Sequence, residues 1–215
     1  INAIEPPLPP VQPTSGARFK VMTLNLAHGR RDAWNQLLVG QEATIKNLQD
    51  IAAFLEQSQP AIVALQEADH KCFWSGNFNH VRFLAKNAGF RFFVQAANVQ
   101  GLGLRYGTAL LAQMPLRQPI ALTFDLHWPL PAKGFILSQV EIVRGKWIDV
   151  VSLHLDFTSQ KIRQAQIKEL AQFLGPRQGP KIVLGDFNCN WSEAGALSAL
   201  AEQLQLSAHQ PQQAD

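Results

Sequence analysis

Four short polar segments follow apolar runs that are typical of β-strands, and they hold the side chains best suited to chemistry. They are residues 23–29, 64–70, 150–156 and 182–188. In open α/β architectures, binding sites lie where strands end. Together the four segments supply carboxylates, amides and a histidine, which is the inventory for metal-assisted attack on phosphorus.

The first two segments end in an amide and a carboxylate. Strand alternation places Asn25 on one face with Val21 and Thr23, where its amide suits a metal or a phosphate oxygen, although such an asparagine is by itself more often a turn former. Glu67 directly follows a buried run and needs a partner, because burying a charge is costly. That partner could be a hard cation such as Mg²⁺, a salt bridge or a helix N-terminus.

The third and fourth segments place polar side chains at every second position. Ser152, His154 and Asp156 share one strand face, which predicts a cleft lining. His154 can hydrogen-bond or protonate a phosphate oxygen, and a structurally satisfied histidine is the other interpretation. Asp186 and Asn188 project to one side behind a glycine that permits close backbone approach, and this segment is the most specific of the four.

The remaining chain must supply the elements that position these segments. Strands are predicted at residues 19–26, 61–66, 90–97, 108–112, 120–124, 135–143, 147–155 and 181–184, and helices at 42–59, 78–88, 159–174 and 193–204. Glycines 101, 103 and 107 indicate a loop, Gly145 a tight hairpin with Arg144, and Thr158 a helix N-cap. Hairpins with few helices favour two packed sheets flanked by helices.

Composition limits the class of protein. The 215 residues suit a single domain, and 47% apolar with 16% charged residues is ordinary for a globular chain. No apolar run is long enough to span a membrane. The net charge of +3 mildly favours anionic partners, but the basic residues are scattered. Cys72 and Cys189 are too few for a disulfide framework or a four-thiolate zinc site, and both one disulfide and two thiols remain open.

The chain begins with a proline-rich segment, in which five of the first thirteen residues are proline. Proline excludes an interior helix, so we expect residues 1–17 to be a linker or arm and residues 18–215 to be the domain. A linker behind a removed export signal and an ordinary disordered terminus are both consistent with this. The compartment stays open between cytoplasmic and exported, with the prolines weakly favouring export.

Five motifs in order resemble one known family. They are Leu-Asn-Leu (24–26), Leu-Gln-Glu (65–67), Tyr-Gly-Thr-Ala-Leu-Leu (106–111), Ser-Leu-His-Leu (152–155) and Gly-Asp-Phe-Asn (185–188). In order and spacing they resemble the endonuclease/exonuclease/phosphatase superfamily with the deoxyribonuclease I-like fold. The resemblance implies a four-layer α/β/β/α sandwich, with two mixed β-sheets packed face to face and flanked by helices.

The resemblance also implies a role for each site residue. Glu67 would bind Mg²⁺ or Mn²⁺ with help from Asn25. His154 would contact the scissile phosphate, Asp186 would orient or deprotonate the attacking water, and Asn188 would bind a phosphate oxygen and stabilise the developing charge. The expected function is therefore a divalent-metal-dependent phosphoesterase, of the phosphodiesterase or nuclease-like kind, in which a metal-activated water attacks phosphorus.

The substrate class is left open by the sequence. A nucleic acid, a phospholipid head group and an inositol phosphate are all consistent, and Trp74, Trp128 and Trp191 could stack on a ligand or belong to the core. No stable protein partner is implied, and a monomer is expected.

One departure from the family pattern lies beyond Asn188. The family usually carries a Ser-Asp-His segment near its C-terminus, whereas here the only later histidine, His209, lacks a preceding aspartate. We expect the C-terminal part of the domain to be missing from this chain. A catalytically impaired, phosphate-binding relative on the same fold is the alternative.

Overall fold

Two sheets lie face to face in a computed structural model that describes residues 2–3, 19–35, 39–126, 129–189 and 196–208. Ten strands occur in these ranges, and in chain order they are β1 (Asn2–Ala3), β2 (Val21–Asn25), β3 (Ile62–Asp69), β4 (Phe92–Gln95), β5 (Val99–Gly101), β6 (Leu104–Ala112), β7 (Leu116–Thr123), β8 (Gly134–Val143), β9 (Lys146–His154) and β10 (Lys181–Asp186). The first sheet has the order β1-β4-β6-β3-β2, with β5 on β6, and the second the order β10-β9-β8-β7.

Each sheet carries helices on its outer face. The first sheet is covered by α1 (Gln41–Ser58) and α2 (His80–Asn87), and the second by α3 (Gln160–Leu174) and α4 (Ala196–Leu204). Both sheets are mixed, because β2 pairs parallel with β3 and β9 parallel with β10, while the other pairs are antiparallel. The predicted α/β/β/α sandwich is confirmed. Within the described ranges, no helix combines the length and apolarity that a membrane crossing requires.

Strand alternation sorts the apolar side chains into three layers. Leu65 packs with the helices over the first sheet, Val150 lies between the sheets, and Leu153 packs beneath α3. In β2, Val21 joins the layer between the sheets while Leu24 faces α1. The faces predicted for β2 and β9 are therefore confirmed.

The predicted strands are all present, with ends shifted by at most four residues. The predicted loop around the glycines is wrong in part, because Gly101 ends β5 and Gly107 lies within β6. Between them, Leu102 and Gly103 form a two-residue turn with φ values of 51° and 76°. Two successive positive φ angles match the twist of a hairpin. The hairpin at Gly145 is confirmed.

The start of α3 differs from the prediction. Ser159 is the N-cap and accepts a hydrogen bond from the Ile162 N–H, whereas the Thr158 hydroxyl donates to Asp156. The helix ends at Gly175 as predicted. The start predicted for the last helix, at residue 193, lies outside the described residues. β10 lies at the edge of its sheet, and all six of its residues are partly exposed.

Two smaller features bear on the N-terminal segment and the cysteines. Asn2 and Ala3 pair with β4, and the other residues of the predicted arm lie outside the described ranges. Cys72 is a buried thiol that donates to the Arg105 carbonyl at 3.4 Å. Burial raises the pKa of Cys72 to about 12.

Candidate active site

The position of Glu67 depends on an irregularity in β3. Leu65 pairs with Ala109, but the next pair joins Ala68 to Gly107, so β3 carries one residue more than β6 across this stretch. Glu67 adopts the left-handed conformation with a φ of 48°. This is a β-bulge, which redirects side chains and often adjoins active sites.

The bulge moves Glu67 to the side that faces the second sheet. Leu65 and Ala68 both pack toward the helices, so the two residues between them turn the other way. The Gln66 amide accordingly donates to the Ser152 hydroxyl at 3.1 Å. In an unbroken strand Glu67 would point with Leu65 into the apolar layer, where an unpaired carboxylate is costly.

His154 reaches the same place from the end of β9. Its Nε2 lies 4.0 Å from Glu67 Oε1 and 3.8 Å from Asp186 Oδ2. The parallel register of β9 and β10 sets Asp186 directly opposite His154. Burial, together with the charge of Lys133, lowers the pKa of His154 to about 3. The imidazole is therefore neutral at pH 7 and offers one N–H donor.

Asn25, Asp186 and Asn188 are joined by hydrogen bonds. The Asn25 amide donates to Asp186 Oδ2 at 2.9 Å, and its own oxygen accepts from the Ala27 N–H. Asp186 Oδ1 accepts the Asn188 backbone N–H at 3.0 Å, and the Asn188 amide donates to the Leu155 carbonyl at 2.9 Å. The structure thus brings together all five residues singled out from the sequence.

Gly185 allows β10 to run close to β9 just before Asp186. A Cβ at this position would lie 2.1 Å from the Leu153 carbonyl oxygen. No side chain fits there without separating the two strands. The glycine of the Gly-Asp-Phe-Asn motif therefore serves strand packing, which fixes Asp186 beside His154.

A buried histidine–aspartate pair adjoins the site and was missed. His28 Nδ1 lies 2.7 Å from Asp69 Oδ1, and His28 Nε2 lies 3.6 Å from Glu67 Oε2. Burial alone would raise the pKa of Asp69, but the hydrogen bond from His28, the electrostatic influence of His28 and His80, and the hydrogen bond from Ser75 together hold that pKa below its usual value. Both residues stood in the polar segments, yet nothing local in the sequence pairs positions so far apart.

Lys133 is a second residue that the sequence did not reveal. Its Nζ lies 3.1 Å from His154 Nε2 and 5.7 Å from the centre of the Phe157 ring. Burial lowers the pKa of Lys133, although the surrounding carboxylates oppose this. Lys133 directly precedes β8 and lies outside any strand or helix, so the periodicity of apolar and polar residues could not predict which way its side chain points.

The Asp156 carboxylate, which alternation placed on the polar face of its segment, is hydrogen-bonded to the residues that follow it. Its Oδ1 accepts hydrogen bonds from the Thr158 N–H, the Thr158 hydroxyl and the Ser159 N–H. Burial would raise the pKa of Asp156, but these hydrogen bonds lower it. Its role is to form the turn that leads into α3.

The aromatic residues divide between scaffold and rim. The Trp74 indole donates to Asp69 at 3.2 Å and its ring lies 5.3 Å from that of His28, so Trp74 supports the pair instead of offering a free stacking face. Trp128 and Trp191 lie outside the described residues. Phe73 begins a short 3₁₀-helix (Phe73–Ser75) after β3, Phe157 lies in the loop after β9, and their exposed fractions are 60% and 59%.

The Tyr-Gly-Thr segment of β6 has a structural role. Asn98 accepts the Thr108 N–H at 3.2 Å and donates to the Leu122 carbonyl at 3.1 Å, which links the two sheets. A Cβ on Gly107 would lie 2.5 Å from the Asn98 side-chain oxygen. The motif therefore holds the sheets together beside the site.

The donor set of the cleft fits a hard divalent cation. Glu67 supplies carboxylate oxygens, and the Asn25 oxygen keeps a lone pair beyond the one used by Ala27. Among the residues the structure describes, no three His, Cys, Asp or Glu side chains form a ready metal cage. Magnesium is commonly held by one or two carboxylates, with water and substrate phosphate completing its shell, so such a cage is not required.

Solved structures share this architecture at low sequence identity. An endonuclease/exonuclease/phosphatase family protein from Leptotrichia buccalis is 17% identical over 86% of this chain and 73% of its own, with a TM-score of 0.64. An endonuclease/exonuclease/phosphatase from Bacteroides vulgatus is 13% identical over 85% and 69%, with a TM-score of 0.62. TDP2 from C. elegans is 16% identical over 83% and 52%, with a TM-score of 0.57.

Sequence comparison gives the family. No curated protein sequence matches the chain. The sequence model of the Endonuclease/Exonuclease/phosphatase family, however, matches residues 22–211, a range that contains all five motifs and the whole described cleft. Together with the sandwich and its cleft, this match shows that the chain belongs to the endonuclease/exonuclease/phosphatase family.

Proposed function

We propose that this chain is a divalent-metal-dependent phosphoesterase. The observation that carries the proposal is the convergence of Asn25, Glu67, His154, Asp186 and Asn188, from separate segments, in one cleft. Members of the family are generally hydrolases that act on phosphoester bonds. The cleft offers a metal-binding carboxylate, a candidate base and neutral hydrogen-bond donors, as such hydrolysis requires.

Glu67 and Asn25 are the proposed ligands of Mg²⁺ or Mn²⁺. An ion held there would supply polarisation of a phosphoryl oxygen and a lowered pKa of bound water. Glu67 is suited to this role because the bulge aims its carboxylate into the cleft, with its side chain still 20% exposed. Asn25 contributes a neutral oxygen and at the same time holds Asp186 through its amide N–H.

Asp186 is the proposed acceptor of the proton from the attacking water. Two hydrogen bonds, from Asn25 and from the Asn188 backbone, fix its carboxylate, and a 28% exposed side chain leaves it accessible. Neutral His154 can donate its N–H to a phosphoryl oxygen. Asn188 has one amide N–H beyond the one given to Leu155, and Lys133 adds a positive charge beside His154.

Hydrolysis of bis-p-nitrophenyl phosphate tests the proposal. We expect the full-length protein to turn over this diester with Mg²⁺ or Mn²⁺ and to stop in EDTA. His154→Ala should lose about 10²-fold in kcat, the scale of a lost transition-state donor. His70→Ala, which removes a histidine beside Arg105 and Lys71, serves as the matched control.

The outcome separates an enzyme from a binding relative. Full-length protein that binds phosphate but hydrolyses neither mono- nor diesters with any divalent metal would be the catalytically impaired relative. If turnover occurs, nucleic acid, phospholipid and inositol phosphate substrates can be ranked by kcat/KM. The monomeric state also remains a prediction, to be checked by light scattering.

A further inference from the structure

Glu67 is approached by two histidines that differ in how they are held. His28 Nε2 lies 3.6 Å from Glu67 Oε2, and His154 Nε2 lies 4.0 Å from Oε1. The opposite nitrogen of His28 is anchored at 2.7 Å to Asp69, which is fully buried. The other Asp69 oxygen accepts from Trp74 and Ser75, so the carboxylate cannot turn away.

The hydrogen bond to Asp69 fixes the donor and acceptor ends of the His28 ring. A carboxylate at neutral pH only accepts hydrogen bonds, and the Asp69 Oδ2 already accepts from Trp74 and Ser75. Nδ1 of His28 must therefore be the donor. In neutral imidazole the second nitrogen then carries a lone pair, and here that lone pair faces the Glu67 carboxylate. Two such acceptors face each other favourably only when a cation or a proton lies between them.

The backbone at both residues is strained in the same way. His28 and Glu67 are left-handed, with φ values of 56° and 48°, and Ala27 beside His28 has a φ of 46°. Such conformations cost non-glycine residues energy and persist where the surroundings enforce them, often at functional sites. The His28 ring is held by edge contacts with the rings of Tyr106 and Trp74, whose centroids lie 4.7 Å and 5.3 Å away.

We propose that His28 is a metal ligand, whose Nε2 shares one divalent cation with the Glu67 carboxylate while Asp69 fixes the ring. A metal-bound histidine usually donates its other N–H to a carboxylate, which is the arrangement seen here. Two metal–ligand bonds of about 2.1 Å can span the 3.6 Å between these atoms. The inference rests on the proposed function and deepens it, because it concerns the metal of that site.

An imidazole ligand changes which ion the site prefers. Magnesium favours oxygen ligands, whereas Mn²⁺ and the later transition metals accept nitrogen as well. With His28 as a ligand, the preference of the cleft for Mn²⁺ over Mg²⁺ is therefore larger than it would be with oxygen ligands alone.

His28→Asn is the variant that isolates this contact. Asparagine tolerates the left-handed conformation, and its amide can replace the Nδ1 donor to Asp69. It lacks the Nε2 end that faces Glu67. We expect Mn²⁺ affinity, measured by titration calorimetry, to fall on the order of tenfold or more. Mg²⁺ affinity, measured by displacement of Mn²⁺, should change far less, and His70→Asn should match wild type for both ions.

The opposite result has a defined meaning. If His28 were a protonated partner of Glu67, removing it would free the carboxylate, and affinity for both ions would rise. Either a rise or an unchanged Mn²⁺ affinity overturns the proposal. A measurement on wild type avoids any folding defect of the variant: electron spin echo spectra of bound Mn²⁺ should show nitrogen coupling, and their lack of it would also overturn the proposal.

Failure of this inference is distinguishable from failure of the proposed function. Metal-dependent diester hydrolysis, with His28→Asn binding Mn²⁺ as wild type does, removes only the histidine from the metal site. Hydrolysis by wild type that is insensitive to EDTA would instead remove the metal from the function.

Discussion

The two sides of the cleft differ in the distance between their histidine and aspartate side chains. On the first sheet, His28 and Asp69 are 2.7 Å apart, and Asp69 is fully buried with the Trp74 indole and the Ser75 hydroxyl as further hydrogen-bond partners. On the second sheet, His154 Nε2 is 3.8 Å from Asp186 and 3.1 Å from the Lys133 ammonium. Contacts that are already formed suit the binding of an ion, whereas the wider spacing of His154 and Asp186 leaves room for a phosphate group between them.

Substitution of the two carboxylates tests this division, and we expect it to have the largest effects. Glu67→Gln should abolish Mn²⁺ binding and lower kcat/KM about 10³-fold, since a catalytic metal supplies several kcal/mol. Asp186→Asn should lower kcat about 10²-fold, as for a lost general base, while Mn²⁺ affinity stays within a few-fold of wild type. Glu56→Gln, exposed on α1, is the control. Equal loss of metal binding in both variants would show that the two sides are not separate.

Replacement of Lys133 probes the side with the wider spacing. Lys133→Met removes a positive charge beside His154, so the imidazolium is disfavoured less and the pKa of His154 should rise from about 3. Proton NMR titration of His154 in EDTA measures this rise. KM for the diester should increase about tenfold, the scale of one charge-assisted hydrogen bond. An unchanged His154 titration would mean that Lys133 does not act on it.

As the pH falls, the contribution of His154 to the free energy of unfolding should be lost before that of Asp69. This is the smallest of the expected effects. Burial lowers the pKa of His154 below 6.5, so below pH 6.5 the imidazole is protonated in the unfolded chain but still neutral in the folded one. The free energy of unfolding therefore falls as the pH drops below 6.5. The lowered pKa of Asp69 stabilises the fold above its usual value of 3.8, and this contribution is lost only below it.

Urea unfolding between pH 7 and pH 4 measures the difference. His154→Asn should flatten the loss of unfolding free energy across this range, and the slope that remains should come from His70 and His80, whose pKa values burial also lowers. A slope as steep as that of wild type would show that His154 is not protonated on unfolding.

The sequence predicted those site residues whose placement follows from local periodicity. Asn25 and His154 end strands whose alternation fixed their faces, and Asp186 follows an apolar run. Sheet pairing between distant segments is not encoded locally, so the approach of Asp186 to His154 depended on a parallel register that only the structure reveals. The pairing of His28 with Asp69 was hidden for the same reason.

Two other predictions were wrong because the local sequence was consistent with more than one structure. Thr158 and Ser159 are both good N-caps, and hydrogen bonding of Thr158 to Asp156 decided between them. Glu67 was expected just beyond a strand that in fact continues to Asp69. A bulge leaves no mark in the alternation of apolar and polar residues until its pairing partner is known.

Because β3 carries one residue more than β6 at the bulge, the pairing of the sheet does not depend on the extra residue. If one residue were deleted there, β3 could pair with β6 in unbroken register and still cover the core with Leu65. Where the deleted residue is Glu67, Gln66 alone would lie between Leu65 and Ala68, and the cleft would lose its acidic side chain while the sheet keeps its pairing. Within this fold, the residue that interrupts the strand pairing is therefore not needed for the sheet, and its proposed role lies in the cleft alone.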